Sequence, residues 1–229
     1  MSLSIQDQIA IRDRFCAAAE KIGYAAEPSK TSTTNGYVSL ASATLDTDRI
    51  YVICQLISID GALHVNLFNI NSRATECGAG RPALLSLFDM VDAAGIDEIR
   101  LKATQTGVYF HAAHFARCGG AEAKRIKGRL LDNLRDYEMQ ATGSPLSTPR
   151  RQQGTRVRQL LKQPPEQLGT LIEALREPVI GETEEGYPTL AKQLLLAGSG
   201  QFSYNAMWTK PERDMARARY NWKPAATFN

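Results

Sequence analysis

The sequence has only four cysteines, Cys16, Cys54, Cys77 and Cys118, and no two of them sit at CxxC spacing. That spacing suggests neither a disulfide framework nor a zinc site, and a reduced, cytosolic-type protein is the simpler reading. No apolar run is long enough to span a bilayer, so no membrane partner is expected. The opening MSLSIQDQIAIRDRF carries charges where a signal peptide needs an apolar core, and a cytoplasmic location follows as the expectation. Charge of one sign is also scarce. The formal excess is +3 with a pI near 8.7, compatible with nucleic acid or CoA as a partner but arguing for neither. Internal repeats and low-complexity tracts are missing as well.

What is present is ordinary core material. The hydrophobic fraction is 43% in 229 residues, enough for one large domain, or one domain with an extension. Ser4 to Ile22 has apolar residues at helical spacing, and Ser4 with Asp7 resembles a capping box. Glu27 to Gly36 reads as loop. Tyr37 to Ala43 and Arg49 to Ile59 read as strands. Asp60-Gly61 is the strongest hairpin signal, predicting that Leu63 to Ile70 pairs antiparallel with the strand before it. Arg81 to Ala94 is helical, with Pro82 in its first turn and Gly95 as its stop. Glu98 to Ala103 alternates as a strand. A strand, a helix and a strand in succession predict a crossover with parallel pairing. Val108 to Cys118 reads as a short helix stopped by Gly119-Gly120.

The turn before Arg81 carries the clearest chemistry. Gly78, Ala79 and Gly80 stand where an apolar strand gives way to a helix. Glycines there allow a sharp turn, and a helix N-terminus adds free N–H groups and partial positive charge, together a setting for phosphate. Arg73 and Arg81 flank it, and as helix-start cations they oppose the dipole unless an anion is bound. Either of these arginines is otherwise a solvated surface residue. His111 and His114 lie three apart on one helical face, as general acid or base or as core packing. A metal pair lacks any carboxylate or cysteine at ligand spacing, so no metal is expected. Tyr109 is a candidate proton donor, His64 a further base, and Cys118 a small core residue or a nucleophile.

The stretch GAGRPALLSLFDMVDAAGIDEIRLKAT is similar to the core of the GCN5-related N-acetyltransferase (GNAT) family. The resemblance covers roughly Tyr37 to Gly120. It implies an α/β (α+β) fold: a GNAT-like mixed central sheet flanked by helices, with a mostly helical C-terminal extension. It also implies acetyl-CoA (or CoA) as cofactor. Thr75 to Gly80 (TECGAG) then matches the family's pyrophosphate turn, with Thr75 in place of the usual Gln or Arg. The implied cofactor-binding residues are Ile70, Arg73, Cys77, Gly78, Ala79, Gly80 and Arg81, and the catalytic candidates are His111, His114 and Tyr109. HFARCGG, His114 to Gly120, matches the family's last core element, but Phe115 stands where many members carry a tyrosine that reprotonates the thiolate.

Domain expectations follow. Residues 1–120 form the acyl-CoA-binding core, and 121–229 form a helical basic extension packed on it. In the extension, Lys124, Arg125, Lys127, Arg129 and Arg135 mark an amphipathic basic helix. Ala141 to Gln153 reads as a loop or hinge, with Arg150, Arg151, Arg156 and Arg158 around it. Helices are expected over Thr155 to Lys162, Glu166 to Leu175, Thr189 to Leu196 and Glu212 to Tyr220. Two functions are open: a CoA-dependent N-acetyltransferase acting on an amine, or a non-catalytic protein of that fold. The second would recognise a nucleic acid or an acidic protein through the basic extension. The sequence discloses neither the acceptor nor the oligomeric state.

Overall fold

The computed structural model describes residues 4–28, 37–42, 50–59, 62–72, 80–104, 106–162, 168–182, 187–197 and 203–223. The fold is mixed α/β. Its sheet has strand order β1-β2-β3-β4-β5-β6, made of β1 (Tyr24–Pro28), β2 (Tyr37–Ser42), β3 (Ile50–Ile59), β4 (Ala62–Ser72), β5 (Glu98–Thr104) and β6 (Ser203–Trp208). The helices are α1 (Ile5–Lys21), α2 (Gly80–Ala94), α3 (Thr106–Ala113), α4 (Gly120–Met139), α5 (Ser147–Leu160), α6 (Leu168–Ala174), α7 (Leu190–Leu196) and α8 (Lys210–Arg219).

Contacts divide the chain into two compact units, Met1–Leu101 with Met207–Asn229, and Lys102–Ala206. This division differs from the expected boundary at residue 120. It assigns α3 to the second unit and returns α8 to the first.

In the first unit α1 starts as its sequence predicts. The Asp7 N–H donates to Ser4 Oγ, and the Ser4 N–H donates back to the Asp7 carboxylate, closing the capping box. Ile11, Phe15, Ala18 and Ala19, at helical spacing, form its buried face. β1 to β4 run antiparallel in succession. The Asp60-Gly61 turn lies outside the described residues, but the strands on either side pair in the predicted register sense, Ile59 against Ala62. Between Ile53↔Asn69 and Cys54↔Leu67 the register shifts, so Phe68 is an extra residue on β4, a β-bulge. β5 then pairs parallel with β4 from His64↔Glu98 to Asn66↔Arg100. Connecting parallel neighbours requires a crossover, and α2 provides it.

α2 is buried over most of its circumference. Leu84, Leu85, Leu87, Phe88, Met90 and Val91 are all at most 1% exposed. Each such side chain contributes about 1.5–3 kcal/mol of transfer free energy. Gly95 (φ +72°) closes the helix: its N–H donates to the Asp92 carbonyl and that of Ile96 to the Val91 carbonyl, a Schellman pair. Burial on nearly all sides also encloses Asp89, which is 4% exposed. A buried carboxylate must be paired. Arg217 Nε donates to it at 2.9 Å and Trp222 Nε1 at 2.8 Å. One turn on, Asp92 accepts from Arg213 at 3.1 and 2.6 Å and pairs with Arg217 at 2.7 Å. Trp208 packs on Phe88 with ring centroids 5.5 Å apart. Thus α8 and the end of β6 are built into the first unit by both charge and apolar contact.

The second unit is helical. On α4, Ala123, Ile126, Leu130, Leu134 and Tyr137 form the buried face. The expected loop over 141–153 is corrected: α5 begins at Ser147. Pro149 falls in the first turn, where its missing N–H breaks no helical bond. Arg150 is correspondingly no loop residue but 3% exposed. Its guanidinium donates to the carbonyls of Tyr137, Ile180 and Glu182 and lies 4.2 Å over the Tyr137 ring. The Tyr137 hydroxyl donates to Gln153 Oε1 at 2.7 Å and accepts from the Ile180 N–H at 2.8 Å. α7 starts one residue later than the expected Thr189, which instead caps it: the Thr189 hydroxyl accepts from the Lys192 N–H.

Candidate functional site

Of the residues expected to hold a cofactor, Arg73, Cys77, Gly78 and Ala79 lie outside the described residues. Ile70 is on β4, opposite Val52 of β3. Gly80 is the first residue of α2, whose first turn holds no acidic residue. Pro82 has no N–H, so the backbone donors of that turn that no helical bond uses belong to Gly80 and Arg81. Arg81 is exposed, and its guanidinium carbon lies 4.2 Å above the Tyr220 ring. Among the described residues no carboxylate pairs with Arg81.

The expected catalytic candidates are on and just beyond α3, in the second unit, whereas Ile70, Gly80 and Arg81 are in the first. Phe110 organises the group. Its ring meets His111 edge-on at 5.1 Å and His114 at 4.4 Å. His114 Nδ1 lies 2.6 Å from the Phe110 carbonyl, which can only accept, so Nδ1 carries a proton. Burial, with a smaller contribution from the neighbouring His114, pushes the His111 pKa down to about 3. At neutral pH His111 is an uncharged imidazole and a weak base, so the two histidines are not equivalent. Tyr109 has the Lys192 ammonium 5.5 Å from its ring centroid.

The helical reading of Val108 to Cys118 is shortened, because α3 ends at Ala113. The reason is a Schellman pair with a phenylalanine in the glycine position. The Phe115 N–H donates to Ala112 and that of Ala116 to His111, with Phe115 at φ +62°. A left-handed phenylalanine is strained. What holds it is Gly169 on α6: a Cβ there would come within 2.3 Å of Phe115 Cδ1 and 2.9 Å of its Cα. Phe115 is thus a packing group between α3 and α6. Cys118 is buried, 3% exposed, as a small core residue is.

His64 gains a partner that sequence alone did not disclose. It is 6% exposed, and its Nδ1 lies 3.1 Å from Glu98 Oε1, the oxygen also contacted by Arg100 Nε. The pair exists because His64 and Glu98 are register neighbours in the parallel ladder. Only the β4–β5 register, which local pattern does not specify, brings them together.

The arginines of the extension are largely committed to internal partners. Arg125 pairs with Glu122 at 2.7 Å, and Arg129 donates to the Ala197 carbonyl at 2.6 Å. Arg156 pairs with Glu177 at 2.7 Å, and Arg158 with Glu138. Among the described residues no group of His, Cys, Asp and Glu could hold a metal ion, and no helix is long and apolar enough to cross a membrane. Compared with models of known protein families and with curated proteins, the chain finds no match.

Proposed function

We propose that this protein is a CoA-dependent N-acyltransferase of GNAT-like fold, transferring the acetyl group of acetyl-CoA to an amine. One observation carries the reading: β4 passes through Gly80 into α2, and α2 returns the chain to β5 in parallel with β4. In open parallel arrangements ligands gather beyond the carboxyl ends of the strands, here the end where α2 begins. The first-turn N–H groups of α2, with Arg81, would bind the pyrophosphate. The pantetheine arm would run along β4 beyond Asn66, where the parallel register has ended.

In the reaction the acceptor nitrogen attacks the thioester carbonyl carbon. A backbone N–H near Ile70 would steady the developing oxyanion. The C–S bond breaks, the nitrogen gives up its proton, and the CoA thiolate takes one. Positioning two bound reactants supplies much of the rate. His111, held uncharged and weakly basic by burial, is unsuited to take that proton. Phe115 has no proton to give and is held in packing.

The alternative, a non-catalytic protein recruiting a polyanion through the extension, is weakened by the internal pairing of Arg125, Arg129, Arg150, Arg156 and Arg158. Acetyl-CoA titration by calorimetry tests the reading. Wild-type chain should bind, and Gly80→Leu, which crowds the helix start, should lose binding while keeping its circular dichroism spectrum. Equal affinity in a folded Gly80→Leu chain refutes this cofactor site. Absence of binding to the wild type refutes the acyltransferase.

A further inference from the structure

α5 carries four arginines and no acidic residue. Arg150 is buried, and Arg158 is held by Glu138. The solvent side of α5 therefore shows Arg151 and Arg156, with Lys162 just beyond its end. On that side Arg156, Gln159 and Leu160 stand at i, i+3 and i+4, which places them on one helix face. They line a groove of about 460 Å³, completed by Ala174, the last residue of α6, and by Glu177. Three of the five lining residues are polar or charged, unlike the mostly apolar cavities that enclose small molecules.

Its apolar part is Leu160, 40% exposed, with Ala174, also exposed. Covering that surface with another apolar group is favourable. The charges decide what can cover it. Arg156 reaches Glu177 through Nη2 alone, at 2.7 Å, and its side chain is 58% exposed. A guanidinium has five N–H donors, so most of those on Arg156 are uncommitted among the described residues. Arg151 and Lys162 likewise pair with no carboxylate among them. An entering carboxylate meets these cations. An entering cation meets Glu177, whose charge Arg156 already offsets, and is repelled by the rest. Phosphates of a nucleic acid would satisfy the arginine but leave Leu160 uncovered.

We infer that this groove docks an acidic segment of a protein partner, which seats one apolar side chain against Leu160 and Ala174 and sets a carboxylate on Arg156. The site lies wholly within the second unit and stands whether or not the acyltransferase reading does.

The probe is a fluorescein-labelled polyglutamate peptide with one central leucine, followed by fluorescence anisotropy on the full chain at low salt. Its controls carry alanine for the leucine or lysine for every glutamate, and a single-stranded oligonucleotide of equal charge is a third. The wild-type chain should bind the glutamate–leucine peptide and not the lysine peptide. Leu160→Ala should weaken binding about three- to eightfold, the worth of covering the exposed 40% of a leucine. That variant should no longer distinguish the leucine peptide from the alanine peptide, because both changes remove one contact. Arg156→Ala should weaken binding about two- to fivefold, as loss of an exposed ion pair does, and the loss should shrink as salt rises. Glu177→Gln, which removes the competitor for Arg156, should bind at least as tightly as wild type. All three positions are at the surface, and an unchanged circular dichroism spectrum checks that each variant folds. No binding of the glutamate–leucine peptide to the wild type overturns the inference. So does equal binding of the lysine peptide, or oligonucleotide binding with the same dependence on Leu160.

Discussion

Arg150→Ala should destabilise the second unit severely, and the reason can be counted atom by atom. α4 ends loosely: the Ala141 N–H donates to Glu138, not to Tyr137, so the Tyr137 carbonyl loses its helical partner. Arg150 Nη1 takes that place at 2.8 Å, Nε reaches the Ile180 carbonyl at 2.8 Å, and Nη2 reaches Glu182 at 3.2 Å. A cation at the C-terminus of α4 also complements its dipole. Hydrogen bonds from a charged donor contribute about 1.5–3 kcal/mol each, and they do not add fully when one side chain makes several. Losing them while leaving the buried Tyr137 carbonyl unsatisfied gives an expected destabilisation of about 3–5 kcal/mol. Arg151→Ala, one residue along and exposed, should stay within about 0.5 kcal/mol of wild type. Urea unfolding followed by circular dichroism reads both. An Arg150→Ala midpoint no further from wild type than that of Arg151→Ala would refute the reasoning. The contrast also bears on function: polyanion binding must be probed at Arg151, Lys124 or Lys127, since reversing Arg150 unfolds the unit instead of altering its surface.

Two further outcomes follow from the second unit. Burial holds the folded-state pKa of His111 at about 3, below the ordinary 6.5, so the unfolded chain binds more protons between those values and stability must fall as pH drops from about 6.5 toward 3. His111→Phe should flatten the pH dependence of the urea midpoint across that window, and a profile as steep as wild type would assign the acid sensitivity elsewhere. Gly169→Ala should cost about 1–3 kcal/mol, because its Cβ meets Phe115 at 2.3 Å, and Phe115→Gly should restore much of the loss in the double variant. Independent, additive effects in thermal melts would show that the two residues do not share the strain.

The parts of the fold legible in the sequence are those specified locally. Ser4 and Asp7 announce α1, Gly95 ends α2, and Asp60-Gly61 flanked by β-branched runs gives the β3–β4 pairing. β6 carries a local signal of its own, since Tyr204, Ala206 and Trp208 are buried at period two. The start of α5 was obscured by Ser, Thr and Pro, all acceptable in a first turn but also common in loops. Long-range partners left no signal. Arg150 reads as a polar residue until Ile180, thirty positions away, is folded against it. The His64–Glu98 pair needs the parallel register. Of the expected site residues, sequence spacing placed Gly80 at a helix start, but the stack of Arg81 on Tyr220 joins segments that nothing in local pattern connects.

The return of α8 to the first unit has a consequence for synthesis. Asp89 and its partner Arg217 are separated by 128 residues. At translation rates of about 5–20 residues per second, that spacing is an interval of about 6–25 s between the emergence of the two. During it α2 has left the ribosome with its apolar faces and two acidic side chains, Asp89 and Asp92, while Trp208, Arg213 and Arg217 do not yet exist. The second unit, continuous from Lys102 to Ala206, can complete in that interval. The first cannot, although its chain emerges earlier. Order of emergence and order of completion are therefore reversed, and the nascent first unit leaves the α2 surface that α8 covers exposed until its last helix arrives.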